Sequence, residues 1–584
     1  MSSQPPSAAL PPSPYGTLRA SVRWLALCAL LAAPARAVQY PGFLPMVTDS
    51  MAVFTIPESL QPLYLQRMQE PTFGTAIMRI TGDAGDDVGT LGPAWSTIVR
   101  HVYSKQQPWN ANSLLLSLSN AGLHPNPLIL NGQTYQPRYE PCSAYDHYDW
   151  RWHPDINHRN EQINVNRDGT ELSWWDVETC TKTRSWTLPI VADYGIGMGE
   201  GNVSNGGRYV AIANQSQMVV VDMDPQAPNA PPYPHIRIGP VFTFAPCSLD
   251  VTRPDSGRIS HVSISPSGKY LTVKYRGLPL AGFSSCDTLC DMRRVYEVDS
   301  SLTIKVHNMA SSSARCGSFA ARPNGWIFPL KHADLALDPF DNNEDVVIGG
   351  RACPGSKLGR VVKVRLRDGL VTALSNPTNE PPYNHGSARA IQRPGWFYVT
   401  YSRDPQYQGF RFWGEVVAYK MDGSGEVQRF GHYHSTQSFF ESEAQAVPSP
   451  DGKRVLIASD WLDHCGERCG VLGQVGTYVL DARENALVDV PVLQEPTELR
   501  LSSPQPNPTR DGLVLRVALP TGRPAALELF DVTGRRLAIR NVGLMGAGEH
   551  VVDLDEQNAL PAGVYLVTLT DGRHAKSTKA VVLR

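Results

Sequence analysis

The chain has 584 residues, a formal charge of −2 and only 18% charged residues, alongside 48 glycines and 48 prolines. Its 42% hydrophobic content can build a large core, and the low, balanced charge excludes a disordered chain, a coiled coil and a nucleic-acid binder working through a basic field. Twelve tryptophans, 22 tyrosines and the abundant turn formers point to many short strands joined by tight turns.

In chain order, residues 1–37 read as a signal peptide. Arg19 and Arg23 precede the apolar run WLALCALLAA at 24–33, and Ala35-Arg36-Ala37 fits a small-x-small cleavage site. That run is too short to cross a hydrocarbon core of about 30 Å as a helix. No later run approaches transmembrane length, so no transmembrane segment is expected in the mature chain.

With Cys28 in the leader, nine cysteines remain: Cys142, Cys180, Cys247, Cys286, Cys290, Cys316, Cys353, Cys465 and Cys469. In an exported protein they are disulfide candidates. Cys286/Cys290 and Cys465/Cys469 each suit a small loop, Cys142/Cys180 and Cys316/Cys353 suit longer links, and Cys247 is left unpaired. The alternative is a metal site in which His464 joins Cys465 and Cys469, although no second ligand pair lies nearby. The absence of C-x-x-C-H excludes a c-type haem protein.

One unit recurs along the chain: a short apolar strand, a turn carrying Gly with Asp, Asn, Ser or Pro, then another apolar strand. Its turn tips fall at Asn112, Asp168, Gly206, Ser267, Asn324, Pro394 and Asp451. Each is followed by a further strand such as MVVVDMD or GTYVLDA. Four short strands per unit, seven times over, predict a β-propeller. The strand-like segment 72–81 (TFGTAIMRIT) precedes the first unit and is expected to pair as the outer strand of the last, closing the ring and removing an edge. The motif S-P-[SD]-G-K-x-[VL]-x-[VI], at 265–273 and 449–457, resembles the TolB-type WD40-like repeat. That resemblance implies a fold and little about function.

From about Leu499 cysteine and tryptophan disappear, and alternating apolar residues mark a compact set of strands over some 85 residues, as in a small antiparallel Ig-like β-sandwich. Pro506-Asn507-Pro508, the Phe530-Asp531-Val532-Thr533-Gly534-Arg535 turn, the strand Leu560-Pro561-Ala562-Gly563-Val564-Tyr565-Leu566-Val567 and the ending 579–584 follow in order. This tail resembles the C-terminal sorting domain (type A) of the type IX secretion system of Bacteroidota. The resemblance implies passage across the outer membrane through that machinery, then cleavage or surface attachment.

Candidate chemistry lies where the innermost strands enter a propeller channel. His101, His153, Glu200, His261, His385 and Glu443 sit just upstream of the repeated turns, with Tyr103 and Arg389 nearby. Converging, they would bind a divalent metal or act as acid and base; otherwise they hydrogen-bond turns and neighbouring blades. In an extended strand His432 and His434 would share a face. With Gln437 and His385 they are faintly similar to the manganese-binding His/Gln set of oligogalacturonate lyases. Tyr145, Asp149, Trp150 and Trp152 form either a carbohydrate platform or a loop capped by its own aromatics. Asp341-Asn342-Asn343-Glu344-Asp345 begins like a calcium loop, but Val346 stands where the glycine is needed and Ala352 where the bidentate Glu belongs. No nucleophile elbow, phosphate-binding loop or H-E-x-x-H is present.

The expectation is therefore an all-β chain: a signal peptide (1–37), a seven-bladed propeller (38–495) and a sorting domain (496–584). Its role is non-catalytic binding of a glycan or surface protein after export, with a metal-dependent glycan-active enzyme as the alternative and Ca, Mn or Zn as the metal. Its place is the medium or outer-membrane surface of a Gram-negative cell, with the type IX machinery as partner and no nucleic acid.

Overall fold

The computed structural model describes residues 37–88, 94–122, 127–139, 144–224, 236–243, 259–275, 293–307, 326–327, 330–353, 356–376, 378–486, 499–504, 507–510, 512–519, 525–543, 548–555, 560–572 and 574–583. The leader lies outside these residues. Among them, no helix is long and apolar enough to cross a membrane.

Seven antiparallel sheets follow one another along the chain and form the blades of a propeller. From the inner strand outward, blade 1 runs Val99–Arg100, Leu115–Asn120, Leu128–Asn131 and Pro137–Tyr139. Blade 2 runs Asp149–Trp152, Glu161–Val165, Glu171–Asp176 and Thr181–Thr187. Blade 3 is built on Tyr209–Ala213 and Gln217–Asp222. Blades 4, 5 and 6 begin on Ile259–Ile264, Leu330–Asp338 and Tyr383–Ser387. Blade 7 contributes Val447–Pro448, Arg454–Ser459 and Gly476–Asp481.

The ring closes as the pattern at 72–81 predicts. Ala76–Arg79 pairs with Gly476–Asp481, Ile77 opposite Leu480 and Met78 opposite Val479, so the last blade takes its outer strand from the N-terminal side. A strap before it adds Met46–Val47 to the outside of blade 6, which covers an otherwise open edge.

Each pair of neighbouring blades shares its own apolar cluster. Ile163, Trp174, Val210 and Val219 lie between blades 2 and 3, while Met78, Ile80, Leu116, Leu456 and Val479 join blade 7 back to blade 1. Polar clasps add to this. Asp345 of blade 5 accepts hydrogen bonds from Ser265 Oγ (3.0 Å) and Ser267 N (3.1 Å) in the S-P-S-G turn of blade 4.

Two repeat assignments shift. Asp168 lies in the turn between the second and third strands of blade 2, not the first and second. The Asn324 turn lies outside the described residues, and Trp326–Ile327 pairs with blade 4. The inner hairpin of blade 5 instead turns at Asp341-Asn342-Asn343, where Asn342 and Asn343 take φ of 50° and 54°. Asn tolerates that left-handed geometry better than most residues. A Gly- or Asn-bearing turn looks alike wherever it falls in a four-stranded blade, which is why the two were interchanged.

The tail forms two further sheets. Arg500–Leu501, Val514–Leu519 and Gly548–Asp553 make one; Arg536–Asn541, Ala526–Asp531, Gly563–Thr570 and Ala575–Val582 make the other, in that order. Leu515, Val517, Leu527, Leu529, Val567, Leu569 and Val582 fill the space between them.

Cys465 and Cys469 are joined in a disulfide, so neither is a thiolate free to bind metal with His464. Cys180 is also disulfide-bonded. Cys142, Cys247, Cys286, Cys290 and Cys316 lie outside the described residues, and Cys353 ends a strand of blade 5.

The closing strand is the weak point of a ring built this way. Ile77 is 1% exposed, and Ile77→Ala is expected to cost the propeller about 2–4 kcal/mol, read as a lower midpoint in denaturant unfolding. An unchanged midpoint would show that closure does not depend on this strand.

Candidate functional site at the channel mouth

After Arg100 the inner strand of blade 1 breaks, and residues 101–107 cross the channel before the chain rejoins blade 1 at Trp109. This crossing segment meets every other blade. His101 Nε2 is bonded to Gln445 O at 2.7 Å, and the Tyr103 hydroxyl to His332 Nδ1 at 2.6 Å. Lys105 pairs with Glu200. Gln106 donates to Trp150 O (2.8 Å), and Gln107 donates to Arg389 O (2.9 Å) and Pro448 O (3.0 Å). Asn202 of blade 3 donates to Lys105 O at 2.8 Å. Lys105 also lies within the electrostatic surroundings of His261 and Arg293 in blade 4.

Above this plug a cluster gathers at one end of the channel. His385 Nε2 is 2.7 Å from Glu443, and its ring centre is 4.1 Å from that of His332 and 5.3 Å from that of Tyr103. Glu200 lies 3.4 Å from His261 Nδ1 and 3.8 Å from Lys274 Nζ. Arg293 Nη1 is 3.1 Å from His261 Nε2. Phe440, 54% exposed, stacks over Tyr103 at 6.4 Å.

The histidines of blades 4, 5 and 6 share a local cause. In each inner strand the pairing register slips beside the histidine: between Ile259 and His261, between Lys331 and Asp334, and between Tyr383 and His385. His332 sits within its irregularity with φ of 44°. A bulge re-aims the side chain it carries, and here three bulges serve one end of one channel.

Burial decides the charge states. It drives His101, His261 and His332 well below the usual imidazole range, and it lowers His385 against the opposing pull of Glu443. All four are therefore neutral at pH 7. Burial also brings Lys105 down to about 8 and Arg100 to about 10. Burial opposes ionisation of Glu200, but the ammonium groups of Lys105 and Lys274 outweigh it and hold its carboxyl well below the usual range. Glu200 is thus ionised and held by the two lysines, beside a neutral His261. Glu443 is likewise lowered, with burial opposed by its hydrogen bond to His385. The cluster thus sets Arg100, Lys105, Lys274 and Arg293 against Glu200 and Glu443, with Glu441 also acting on Arg100. Among the described residues, His101 Nδ1, His385 Nδ1 and Arg100 Nη2 are buried without hydrogen-bond partners.

The structure thus brings together His101, Glu200, His261, His385 and Glu443, with Tyr103. His153 does not join them. It lies at the far end of its inner strand, packs on Trp174 at 4.5 Å and lines a cavity with Gln107, Asn205 and Pro450 at the opposite end of the channel. The blade 2 turn was placed one strand late, so His153 took the position that belongs to Asp149, which pairs with Arg151 and accepts from Met198 N at 2.8 Å. His332 was missed because the blade 5 turn was displaced. Arg389 pairs with Asp334.

His432, His434 and Gln437 lie elsewhere. His385 is on the inner strand of blade 6 and His432 on the outer, three strand spacings or about 14 Å away. The strand Val427–His432 ends at His432, and His434 takes φ of 47°, so the alternation expected of an extended chain fails. His432 bonds Glu70 (3.0 Å) beside the Arg429–Glu415 pair, His434 stacks on Trp461 (4.6 Å), and Gln437 accepts from Arg403 N. Among the described residues no three His, Cys, Asp or Glu side chains converge as a group that could hold a metal ion. The carboxylates at 341–345 are engaged by Arg365, Arg367 and the two serines of blade 4. Nor do the blade 2 aromatics form a platform. Tyr145, Trp150 and Trp152 are buried, and they bond Gln162, Ser117 and Pro108 O.

The sorting-motif residues build the tail. Asn507 donates to Lys579 O (3.0 Å) and accepts from Val581 N (2.9 Å), so its amide caps the free edge of the last strand; Pro506 lies outside the described residues, and Pro508 follows Asn507. Asp531 accepts from Thr533 N and Arg535 N, with Gly534 at φ of 82°, closing the hairpin. Gly563 opens the strand that carries Tyr565, whose hydroxyl donates to Pro561 O at 2.6 Å.

Stability is expected to fall on acidification. A histidine whose folded pKa is depressed stabilises the fold above its unfolded pKa of about 6.5 and loses that contribution as pH drops below it, by up to about 1.4 kcal/mol per pH unit for each. His101, His153, His261, His332 and His385 all act in this direction. Melting temperature followed from pH 8 to 5 should decline most steeply below about 6.5; a flat profile would contradict the neutral assignment.

Residues 505–584 match the family of secretion system C-terminal sorting domains. No curated protein matches the chain. Among solved structures, an oligogalacturonate lyase in complex with manganese is 12% identical with a TM-score of 0.41, covering 74% of this chain and 100% of that one. Oligogalacturonate lyase from Vibrio parahaemolyticus is 10% identical with a TM-score of 0.43, at 74% and 100% coverage. The Swd1 β-propeller domain from Myceliophteria thermophila is 11% identical with a TM-score of 0.35, at 65% and 97%. None of these likenesses bears on what this chain binds. The chain is a β-propeller that carries, at residues 505–584, a type IX secretion sorting domain.

Proposed function

We propose that this protein is an exported, non-catalytic propeller of a Gram-negative, Bacteroidota-like bacterium that binds an acidic glycan at its channel mouth. The observation that carries this is the arrangement at the mouth. Four buried cations, Arg100, Lys105, Lys274 and Arg293, lie beside three carboxylates, Glu200, Glu441 and Glu443, and neutral histidines, and exposed Phe440 stacks above Tyr103. An aromatic face takes the apolar side of a sugar ring, and the excess positive charge favours a carboxylate on it. The leader at 1–37 carries the chain across the inner membrane. The sorting domain takes it through the type IX machinery to the medium or the outer-membrane surface.

Calorimetry with uronate-bearing and neutral oligosaccharides tests the ligand. Acidic oligosaccharides are expected to bind, more weakly at high salt, and Phe440→Ala to weaken binding about threefold to tenfold. No binding, or binding indifferent to Phe440, refutes the site. For export, removal of residues 499–584 is expected to leave the protein in the periplasm; equal release of the truncated form into the medium would count against the tail.

A second reading is enzymatic and rests on the 2.6 Å bond between Tyr103 and neutral His332, a proton donor–acceptor pair beside the mouth. Turnover of acidic oligosaccharides that is lost in Tyr103→Phe, with binding retained, would favour it over plain binding.

A further inference from the structure

The residues that make the tail recognisable as a sorting domain are occupied in holding it together. Asn507 caps an edge, Asp531 and Arg535 close a hairpin, and Tyr565 is tied to Pro561 O. What the secretion machinery touches is then to be sought elsewhere on the domain. The four-stranded sheet supplies it.

In an antiparallel sheet with one solvated face, alternate residues on that face are polar. On Gly563–Thr570 the inward set is Tyr565, Val567 and Leu569, all buried. The outward set begins with Val564 and Leu566, 38% and 46% exposed. Cross-strand register places Phe530 opposite Leu566, and Val564 opposite Val581. Leu537 and Ile539, 37% and 57% exposed, extend the same strip onto the neighbouring hairpin. Six of the twenty exposed large apolar side chains among the described residues fall within these 80 residues, far more than their share of the chain. Lys579 stands opposite Leu566, while Arg536, opposite Phe530, is already paired with Glu528 at 2.6 Å. The edge beyond Lys579 and Val581 is already capped by Asn507, so strand addition is blocked on that side.

We propose that the outward face centred on Phe530, Val564, Leu566 and Val581 is the surface by which the tail docks on the secretion machinery. Its occupant is an apolar protein surface of that machinery with an acidic group that meets Lys579. The sorting-domain match supplies the kind of partner, and Lys579 beside Leu566 supplies the complement to its charge. A face this apolar on a soluble sheet marks an interaction site.

The test uses the full-length chain in a host with the type IX machinery, with two double variants: Val564→Glu/Leu566→Glu and Val564→Thr/Leu566→Thr. Threonine keeps the strand preference while removing apolar surface. Both are expected to reduce the surface and medium fraction at least tenfold and to accumulate in the periplasm, with the melting profile of the purified chain unchanged. Wild-type export of the threonine variant overturns the proposal, including where the glutamate variant fails to fold. It is also overturned if the wild-type chain is a dimer that these variants convert to monomer while export persists, since the face would then join two copies.

Discussion

Seven blades arranged about one axis leave a void between their inner edges, and any polar group aimed into it is cut off from water. Everything else in this propeller depends on how that void is closed. The chain does so by breaking the inner strand of blade 1 and laying residues 101–107 across the axis. His101, Tyr103, Lys105, Gln106 and Gln107 then supply partners to the walls. One segment thereby couples non-adjacent blades, which the apolar clusters between neighbours do not do. It also converts a channel into a floored cup.

The floor sets the electrostatics of the cup. Charges this deep are costly unless paired, and pairs of this kind do more to define an arrangement than to stabilise it. The histidines meet that constraint by staying neutral, while Glu200 and Glu443 stay ionised beside buried cations. The three bulges that aim His261, His332 and His385 interrupt the regular ladder, and such irregularities concentrate where a surface is used.

The tail shows a division of labour between fold and recognition. Its signature residues make hydrogen bonds to nearby backbone or to one another and fill turns, so their spacing is set by hairpin geometry. Its outward apolar face has no role in that framework. A small sandwich with apolar residues on both sides of one sheet carries surface that its own core does not require.

The number of blades, the closing strand at 72–81 and the sorting domain were legible from sequence alone, because each is a local pattern: a strand period of two, a Gly or Asn turn, an ordered run of short motifs. The convergence of His101, His261, His385, Glu200 and Glu443 was legible only as a recurring position before those turns. What they meet was not. His332, and the place of Asp149 among the inner-strand residues at the mouth, were hidden by two misplaced turns, because turn chemistry does not say which pair of strands it joins. His432 and His434 looked like a pair until the strand was seen to end at His432. The plug at 101–107 has no sequence signature at all. Whether a break in one strand fills an axis depends on the six other blades around it, and residues more than 300 positions apart, such as His101 and Gln445, meet only when the ring has closed.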